Sequence, residues 1–166
     1  QRTGKTPTSI VAMDQKAEGR IVIVCPASMQ YVWRSAFKQW TARPSFVADT
    51  TPTKRKKVIE LWAETENGVL IISYDTFKAT SRGSGEVETI ISKKPKGAIV
   101  DEVHRAVGRK TKNFNAIKFL RYTPHRFYLS GTPAPNHPSQ VWSILHFIDP
   151  KTFTSYWRFV DEFFYS

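Results

Sequence analysis

Two short polar motifs in the chain carry residue types suited to phosphate and metal chemistry. The first is GKT at Gly4–Thr6, followed by a run with the apolar spacing of a helix. Backbone N–H groups at such a helix start can hold phosphates, while the lysine reaches them and the threonine hydroxyl binds Mg²⁺. The full pattern G-x-x-x-x-G-K-[ST] needs a glycine upstream of Gln1, so GKT alone is weak support for a nucleotide site.

The second motif is AIVDEVH, an apolar run that ends in Asp101 and Glu102, with His104 two residues further on. An acid at the end of a buried strand is the expected partner of a metal ion that a loop threonine also binds. A neighbouring carboxylate can act as a general base on an attacking water. A solvated turn would have a similar sequence, but the α/β pattern that follows GKT favours the catalytic interpretation.

The elements that must position these residues alternate between β-type and helical runs. Strands are predicted at 20–25, 45–48, 69–73, 97–102 and 125–130. Helices are predicted at 5–17, 28–40, 51–64, 86–94, 113–122, 138–148 and 153–164. Strands separated by helices imply right-handed βαβ units, a mainly parallel sheet and helices on both of its faces. Ligands bind such sheets at the carboxyl ends of the strands, where the polar motifs lie.

Composition narrows the class of protein. A chain of 166 residues with 40% apolar residues suits one domain with a full core. A net charge of +11 favours a polyanionic partner such as nucleic acid, although a basic surface alone would look the same. No apolar run is long enough to cross a bilayer, so no membrane partner is expected. The histidines and the single Cys25 lack metal-ligand spacing, so no zinc site is expected.

Further segments resemble a known family in their order along the chain. DEVH resembles the DEAH box of helicase superfamily two, with Val103 in place of alanine. VCPASMQYVWRSAFKQW and VLIISYDTF resemble motifs Ia and Ib of Swi/Snf-type ATPases. DEVHRAVGRKTK resembles their extended acidic-box segment, and HRFYLSGTPAPNHPSQVWSILHFIDP resembles their motif III segment. The resemblance covers nearly the whole chain. It implies that residues 1–166 form a single RecA-like P-loop NTPase lobe, the first of two in the protein. The N-terminus of this lobe would be truncated within the phosphate loop.

The resemblance also implies roles for single residues. ATP would be bound by the loop residues Thr3, Gly4, Lys5 and Thr6. Mg²⁺ would be held by Thr6 and Asp101, and Glu102 would be the general base, so the catalytic set is Glu102, Asp101 and Lys5. Coupling between nucleotide and DNA would pass through His104, Ser130, Gly131 and Thr132. Nucleic-acid contacts would come from Pro26, Ala27, Ser28, Tyr74, Thr76, Arg105, Arg109 and Lys112.

The function implied is ATP hydrolysis that drives translocation on, or remodelling or unwinding of, duplex DNA. Because a second RecA-like lobe of the parent protein would complete the site, this chain alone is expected to be nearly inactive. The alternative is a nucleic-acid binding module without ATP turnover, and a different P-loop enzyme fits less well. The RTGKT form resembles phage or bacterial members. An intracellular location is expected, cytoplasmic in a bacterial or phage-infected cell and nuclear in a eukaryote.

Overall fold

Five short parallel strands form the central sheet of the computed structural model, which describes residues 4–49, 51–80, 86–133 and 137–165. The strands are β1 (Ile21–Cys25), β2 (Ser45–Ala48), β3 (Val69–Ser73), β4 (Gly97–Val100) and β5 (His125–Tyr128). Their order across the sheet is β2-β3-β1-β4-β5, and every neighbouring pair is parallel. The central strands β1, β3 and β4 are apolar and buried along their lengths, as is typical of strands covered on both faces.

Eight α-helices lie in the described part of the chain and connect or flank the strands. They are α1 (Lys5–Lys16), α2 (Gln30–Trp40), α3 (Pro52–Glu64), α4 (Tyr74–Thr80), α5 (Glu86–Ser92), α6 (Lys112–Ile117), α7 (Val141–Ile148) and α8 (Tyr156–Phe164). Short 3₁₀ turns occupy 27–29, 103–106, 118–122 and 138–140.

Side chains that alternate along β1 build two separate cores. Val22 and Val24 pack on one face with residues of α3 to α7. Ile21 and Ile23 pack on the other face with residues of α1 and α2. The alternation follows from the pleat of a strand, which directs successive side chains to opposite faces. The predicted α/β architecture, a mainly parallel sheet with helices on both faces, is therefore confirmed.

The close approach of α1 to the sheet sets the direction in which this helix points. A Cβ added at Gly97, the first residue of β4, would lie 2.5 Å from Met13 Sδ and 3.0 Å from Ala17 Cβ. The C-terminal half of α1 therefore rests on the amino end of β4, and only a glycine leaves enough room there. Met13 lies eight residues after Lys5, so the first residue of α1 is separated from this contact by about 12 Å of helix.

Arg43 stabilises the C-terminal end of α1. Its guanidinium forms an ion pair with Asp14 and donates hydrogen bonds of 2.6 Å to the carbonyls of Ala17 and Gly19. The Arg43 side chain is only 11% exposed. The last carbonyls of a helix lack intrahelical donors, so a buried guanidinium is well suited to satisfy them.

Several element ends differ from the sequence prediction. β4 ends at Val100 and β5 at Tyr128, each two residues earlier than predicted. After β4 the chain turns at Glu102, which has a left-handed conformation. The helix predicted at 113–122 tightens to a 3₁₀ turn after Ile117. Helix α4, directly after β3, was not predicted, since its short sequence has no extended apolar period.

Candidate nucleotide and nucleic-acid site

The carboxyl ends of four strands bring the predicted motifs to one edge of the sheet. The last residues of β1 and β3 are in register, Cys25 opposite Ser73, and those of β4 and β5 are in register, Val100 opposite Tyr128. Pro26–Ser28, Tyr74–Thr76, Asp101–His104 and Ser130–Thr132 follow these ends. Segments that lie far apart in the sequence therefore share an edge, as expected for a ligand-binding α/β sheet.

The N-terminus of α1 has the backbone geometry of an anion site. Gly4 is its N-cap residue, with a φ of 76°, a left-handed conformation that favours glycine. No side chain caps the helix, and the N–H groups of Lys5 and Thr6 have no acceptor within it. These amides and the positive end of the helix dipole are available to a phosphate. Thr3, also predicted in the loop, lies outside the described residues.

Asp101 is a buried carboxylate held by two donors. It is 8% exposed and follows β4, whose ladder it extends by donating its N–H to the carbonyl of Val24 at 2.8 Å. The indole Nε1 of Trp33 donates to Oδ2 at 2.9 Å, and the backbone N–H of Glu102 donates to Oδ1 at 3.0 Å. These two hydrogen bonds offset part of the cost of burying a charge.

Glu102 has an unusual backbone that its surroundings hold in place. Its φ and ψ are both 50°, a left-handed conformation that costs a non-glycine residue on the order of 1 kcal/mol. The hydroxyl of Tyr74 donates to the carbonyl of Asp101 at 2.8 Å and lies 3.3 Å from that of Glu102. Burial, and secondly the charge of Asp101, raises the pKa of Tyr74 above its usual value, so the hydroxyl keeps its proton.

His104 connects the acidic motif to the segment after β5. Its Nδ1 lies 2.9 Å from Ser130 Oγ, 3.2 Å from Glu102 Oε2 and 3.5 Å from Thr132 Oγ1. The N–H of Thr132 donates to Ser130 Oγ at 3.0 Å. The structure therefore joins His104, Ser130 and Thr132 as a contact group, while Gly131 between them is exposed. Their predicted role in coupling remains a prediction.

The predicted nucleic-acid residues differ in their exposure. Ala27, Ser28, Arg105 and Lys112 are exposed, and Thr76 is partly buried. Pro26 is buried, and Tyr74 is only 4% exposed with its hydroxyl used by the Asp101 carbonyl. These two residues therefore offer almost no surface to a nucleic acid, and their predicted contact with it stays a prediction.

Arg109 packs against the last helix. Its guanidinium carbon lies 3.5 Å from the centroid of the Tyr156 ring and 5.4 Å from that of Trp157. This is a cation–π arrangement, which leaves less of the guanidinium for a phosphate than an extended arginine would offer. Arg109 therefore has a packing role beside its predicted contact with nucleic acid.

Two residues of the site were not predicted in the roles that the structure gives them. Trp33 is fully buried, and its hydrogen bond to Asp101 was not predicted. Tyr74 was expected on the nucleic-acid track, and its bond to the Asp101 carbonyl was not foreseen either. The only sequence signal is that each follows the carboxyl end of a strand next to or near β4.

The donor set suits a metal ion that arrives with a nucleotide. No three His, Cys, Asp or Glu side chains cluster to form a metal site within residues that the structure describes. Mg²⁺ is commonly held by one or two protein groups, with phosphates and waters completing its octahedron. Asp101 uses one lone pair on each oxygen for its two donors, which leaves others for a hydrated ion.

A model of the family described as "SNF2-related domain" matches residues 3–165 of the chain. The chain belongs to the SNF2-related family. The predicted resemblance to Swi/Snf-type ATPases is therefore confirmed at the level of the family. The match does not establish a DEAH box, so the likeness of DEVH to one stays a prediction.

Curated relatives of this SNF2-related chain are much longer proteins. Chromodomain-helicase-DNA-binding protein 8 of Danio rerio is 28% identical over 173 residues, which cover 96% of the chain and 7% of that protein. SWI/SNF chromatin-remodeling complex subunit snf22 of Schizosaccharomyces pombe is 26% identical over 147 residues, which cover 89% of the chain and 8% of that protein. The chain thus spans less than a tenth of the length of these two relatives.

A solved structure confirms the fold of the SNF2-related chain. The Sulfolobus solfataricus SWI2/SNF2 ATPase core in complex with dsDNA matches with a TM-score of 0.74 and 22% identity. The match covers 96% of this chain and 32% of that one. The predicted RecA-like lobe is therefore confirmed as a fold. The comparisons do not establish the source organism, so a phage or bacterial origin has no support from them.

The helices of the SNF2-related chain are short. Among the described residues, none of them combines the length and the apolar character needed to span a bilayer.

Proposed function

We propose that this chain is the ATP-binding lobe of a DNA-dependent ATPase that couples hydrolysis to movement on, or remodelling or unwinding of, duplex DNA. Family membership supports the ATPase class. The observation that carries the proposal is that a buried carboxylate, Asp101, and a candidate base, Glu102, lie with His104 just after the carboxyl end of β4, in a fold whose first helix begins without a side-chain cap. We infer that the start of α1 faces the same edge, because the C-terminal half of this helix packs on the amino end of β4.

The nucleotide would be held from the side of α1. The N–H groups of Lys5 and Thr6 and the helix dipole would bind phosphate oxygens, and the Lys5 ammonium would add a point charge. Thr3 and Gly4 would be further nucleotide-binding residues of this loop. Mg²⁺·ATP supplies the phosphoryl group that is transferred and the metal charge that stabilises it. Thr6 and Asp101 would be the groups of this chain that hold the ion.

Glu102 would accept the proton of the attacking water. Its carboxylate is partly exposed and lies beside His104 Nδ1, which in turn contacts Ser130. An imidazole that shares its Nδ1 between the base and the segment after β5 is a physical route for coupling. A shift of the Ser130–Thr132 segment would alter the hydrogen bond that orients the base.

Duplex DNA would be the macromolecular partner. The net charge of +11 and the exposed cations Arg105 and Lys112 near the site support a polyanion there. We further propose that the chain is the first of two RecA-like lobes of its protein. The protein would act wherever its DNA is kept, in the cytoplasm of a bacterial or phage-infected cell or in a eukaryotic nucleus.

The experiment is ATP hydrolysis by the full-length protein, measured with and without duplex DNA. We expect DNA to stimulate the wild type, and we expect Lys5→Ala and Glu102→Gln to abolish most of that stimulated rate. Lys16→Ala on the same helix and Glu18→Gln are matched controls, since both side chains are exposed at the far end of α1. Equal stimulated rates in wild type, Lys5→Ala and Glu102→Gln would refute the assigned roles.

The binding-module alternative predicts a different result in the same assay. Duplex DNA would bind, but no ATP would be consumed above background by any variant. For the isolated 166-residue chain we expect almost no turnover, because arginine fingers from a second lobe are worth several orders of magnitude in rate. Robust turnover by the isolated chain would contradict this two-lobe proposal.

A further inference from the structure

The hydrogen bond between Trp33 and Asp101 joins two segments that the proposed function treats separately. Trp33 lies on α2, 68 residues before Asp101 in the sequence, and its Nε1–H reaches Oδ2 at 2.9 Å. We propose that Trp33 is a positioning residue that sets the orientation of the Asp101 carboxylate toward Mg²⁺. This inference rests on the proposed function, because it concerns the carboxylate assigned there to the metal.

The core holds the indole rigidly enough for such a role. Trp33 is fully buried, in the cluster that α1 and α2 form with one face of the sheet. The Phe37 ring lies one helical turn away, with its centroid 6.3 Å from that of the indole. A side chain packed in this way sits in one rotamer, so the direction of its N–H is fixed by the core. The donor is therefore preorganised before any nucleotide binds.

The Asp101 carboxylate needs that fixed donor. Rotation about the bond that carries a carboxylate is broad and only weakly staggered, so packing alone orients it poorly. The Glu102 N–H holds Oδ1 from the backbone, and the Trp33 N–H holds Oδ2 from the core that α1 and α2 cover. With one oxygen held by each donor, the plane of the carboxylate is defined. Loss of the hydrogen bonds that hold a metal ligand typically weakens metal affinity by about 10–100-fold.

Trp62 offers a matched comparison within the same fold. It is also fully buried, and its Nε1 donates to the carbonyl of Gly68 at 3.0 Å. It packs on the other face of the sheet, and Gly68 precedes β3 at the amino edge. Trp33→Phe and Trp62→Phe therefore remove the same indole N–H from equally buried sites. Only the indole of Trp33 bonds a carboxylate of the candidate site.

The test measures nucleotide binding rather than turnover. A fluorescent, non-hydrolysable ATP analogue is titrated into the full-length protein in excess Mg²⁺ and again in EDTA. The ratio of the Kd in EDTA to the Kd in Mg²⁺ reports how much the metal contributes. We expect Trp33→Phe to reduce this ratio by about 10-fold or more while leaving the Kd in EDTA unchanged. Trp62→Phe should lower the Tm by about as much as Trp33→Phe does, but it should leave the ratio of Kd values at its wild-type value.

A second comparison separates positioning through Asp101 from a general effect of the core. In an Asp101→Asn background, Trp33→Phe should change the ratio no further, because the carboxylate that it orients is gone. Trp33→His, which keeps a ring N–H donor in a smaller side chain, is measured beside it. Trp33→Leu, which has no donor, replaces Trp33→Phe if that variant does not fold. Trp33→His should retain more of the metal ratio than Trp33→Leu.

Each outcome has a distinct meaning. A wild type that binds the analogue equally in Mg²⁺ and EDTA would refute the metal site of the proposed function itself. Two results would overturn the positioning role alone, given a wild type in which Mg²⁺ strongly lowers the Kd. In the first, Trp33→Phe has the same ratio of Kd values as the wild type. In the second, Trp33→His and Trp33→Leu reduce the ratio equally. An equal loss of the ratio in Trp62→Phe would also overturn it, since the effect would then come from the core.

Discussion

The contact between Arg43 and the end of α1 supports a quantitative prediction about the helix that carries the proposed phosphate-binding residues. Arg43→Ala removes a guanidinium that bonds the carbonyls of Ala17 and Gly19 at 2.6 Å each and that pairs with Asp14. These bonds stabilise the C-terminal end of α1, whereas Lys5 lies at its N-terminal end. We expect the substitution to destabilise the whole domain, because α1 covers one face of the central strands.

The magnitude follows from the separate contacts. A hydrogen bond to a charged group contributes about 1.5–3 kcal/mol, and the two carbonyls can regain some water after the substitution. The Asp14 side chain is 38% exposed, so its ion pair contributes less than about 1 kcal/mol. We therefore expect Arg43→Ala to lose about 2–4 kcal/mol of unfolding free energy. Arg43→Lys should recover at most about half, since an ammonium cannot span both carbonyls in a fork.

The assay is urea unfolding followed by far-UV circular dichroism, with midpoints and slopes compared. Asp14→Asn is the control that removes only the ion pair, with an expected loss below about 1 kcal/mol. An Arg43→Ala loss no larger than that of Asp14→Asn would refute the reasoning, because the carbonyl bonds would then contribute nothing. Full recovery in Arg43→Lys would refute the requirement for a forked donor.

Three further predictions concern packing, titration and DNA contact. Gly97→Ala should lower the free energy of unfolding in urea by about 1–3 kcal/mol, because its Cβ would lie 2.5 Å from Met13 Sδ. Met13→Ala should destabilise the Gly97→Ala variant less than it destabilises the wild type, because it removes this clash. Burial, and secondly the charge of Asp101, raises the pKa of Cys25 from 9.0 to about 12. As the pH rises, the thiol of the unfolded chain loses its proton before that of the folded chain. The free energy of unfolding, measured relative to Cys25→Ala, should therefore be constant below about pH 9 and fall between about pH 9 and 12. A difference between the two proteins that does not change with pH would contradict the burial of Cys25. Lys112→Ala should reduce the salt dependence of DNA binding by about one ion without changing the Tm, whereas Arg109→Ala should lower the Tm through loss of the Tyr156 contact. Equal effects of these two substitutions on the Tm would contradict the contrast between them.

Most of the fold was predictable because its signals are local. The run at Ile21–Cys25 is apolar and β-branched, and the helical spacing of Trp33 and Phe37 indicates the face that α2 buries. Alternation of such runs was enough to predict a parallel sheet with two covered faces. The strand ends were predicted less well, because Asp101 and Glu102 follow β4 without any turn residue such as glycine or proline.

The site was predictable in its composition but not in its contacts. The types and order of Lys5, Asp101 and Glu102 are enough to indicate phosphate and metal chemistry. Nothing in the sequence indicated that the hydroxyl of Tyr74 bonds the Asp101 carbonyl, since a buried tyrosine could bond many acceptors. Likewise, the stacking of Arg109 on Tyr156 joins residues that no local pattern connects.

The sequence by itself determined which elements form and which residue types end them, because hydrophobic period and motif chemistry are properties of neighbouring residues. Only the tertiary structure decided which of those residues meet. The strand order β2-β3-β1-β4-β5 places the end of β1 beside those of β3 and β4, and α2 then carries Trp33 onto the Asp101 carboxylate. A hydrogen bond across 68 residues depends on how α2 packs on the sheet, and that packing is a property of the whole chain.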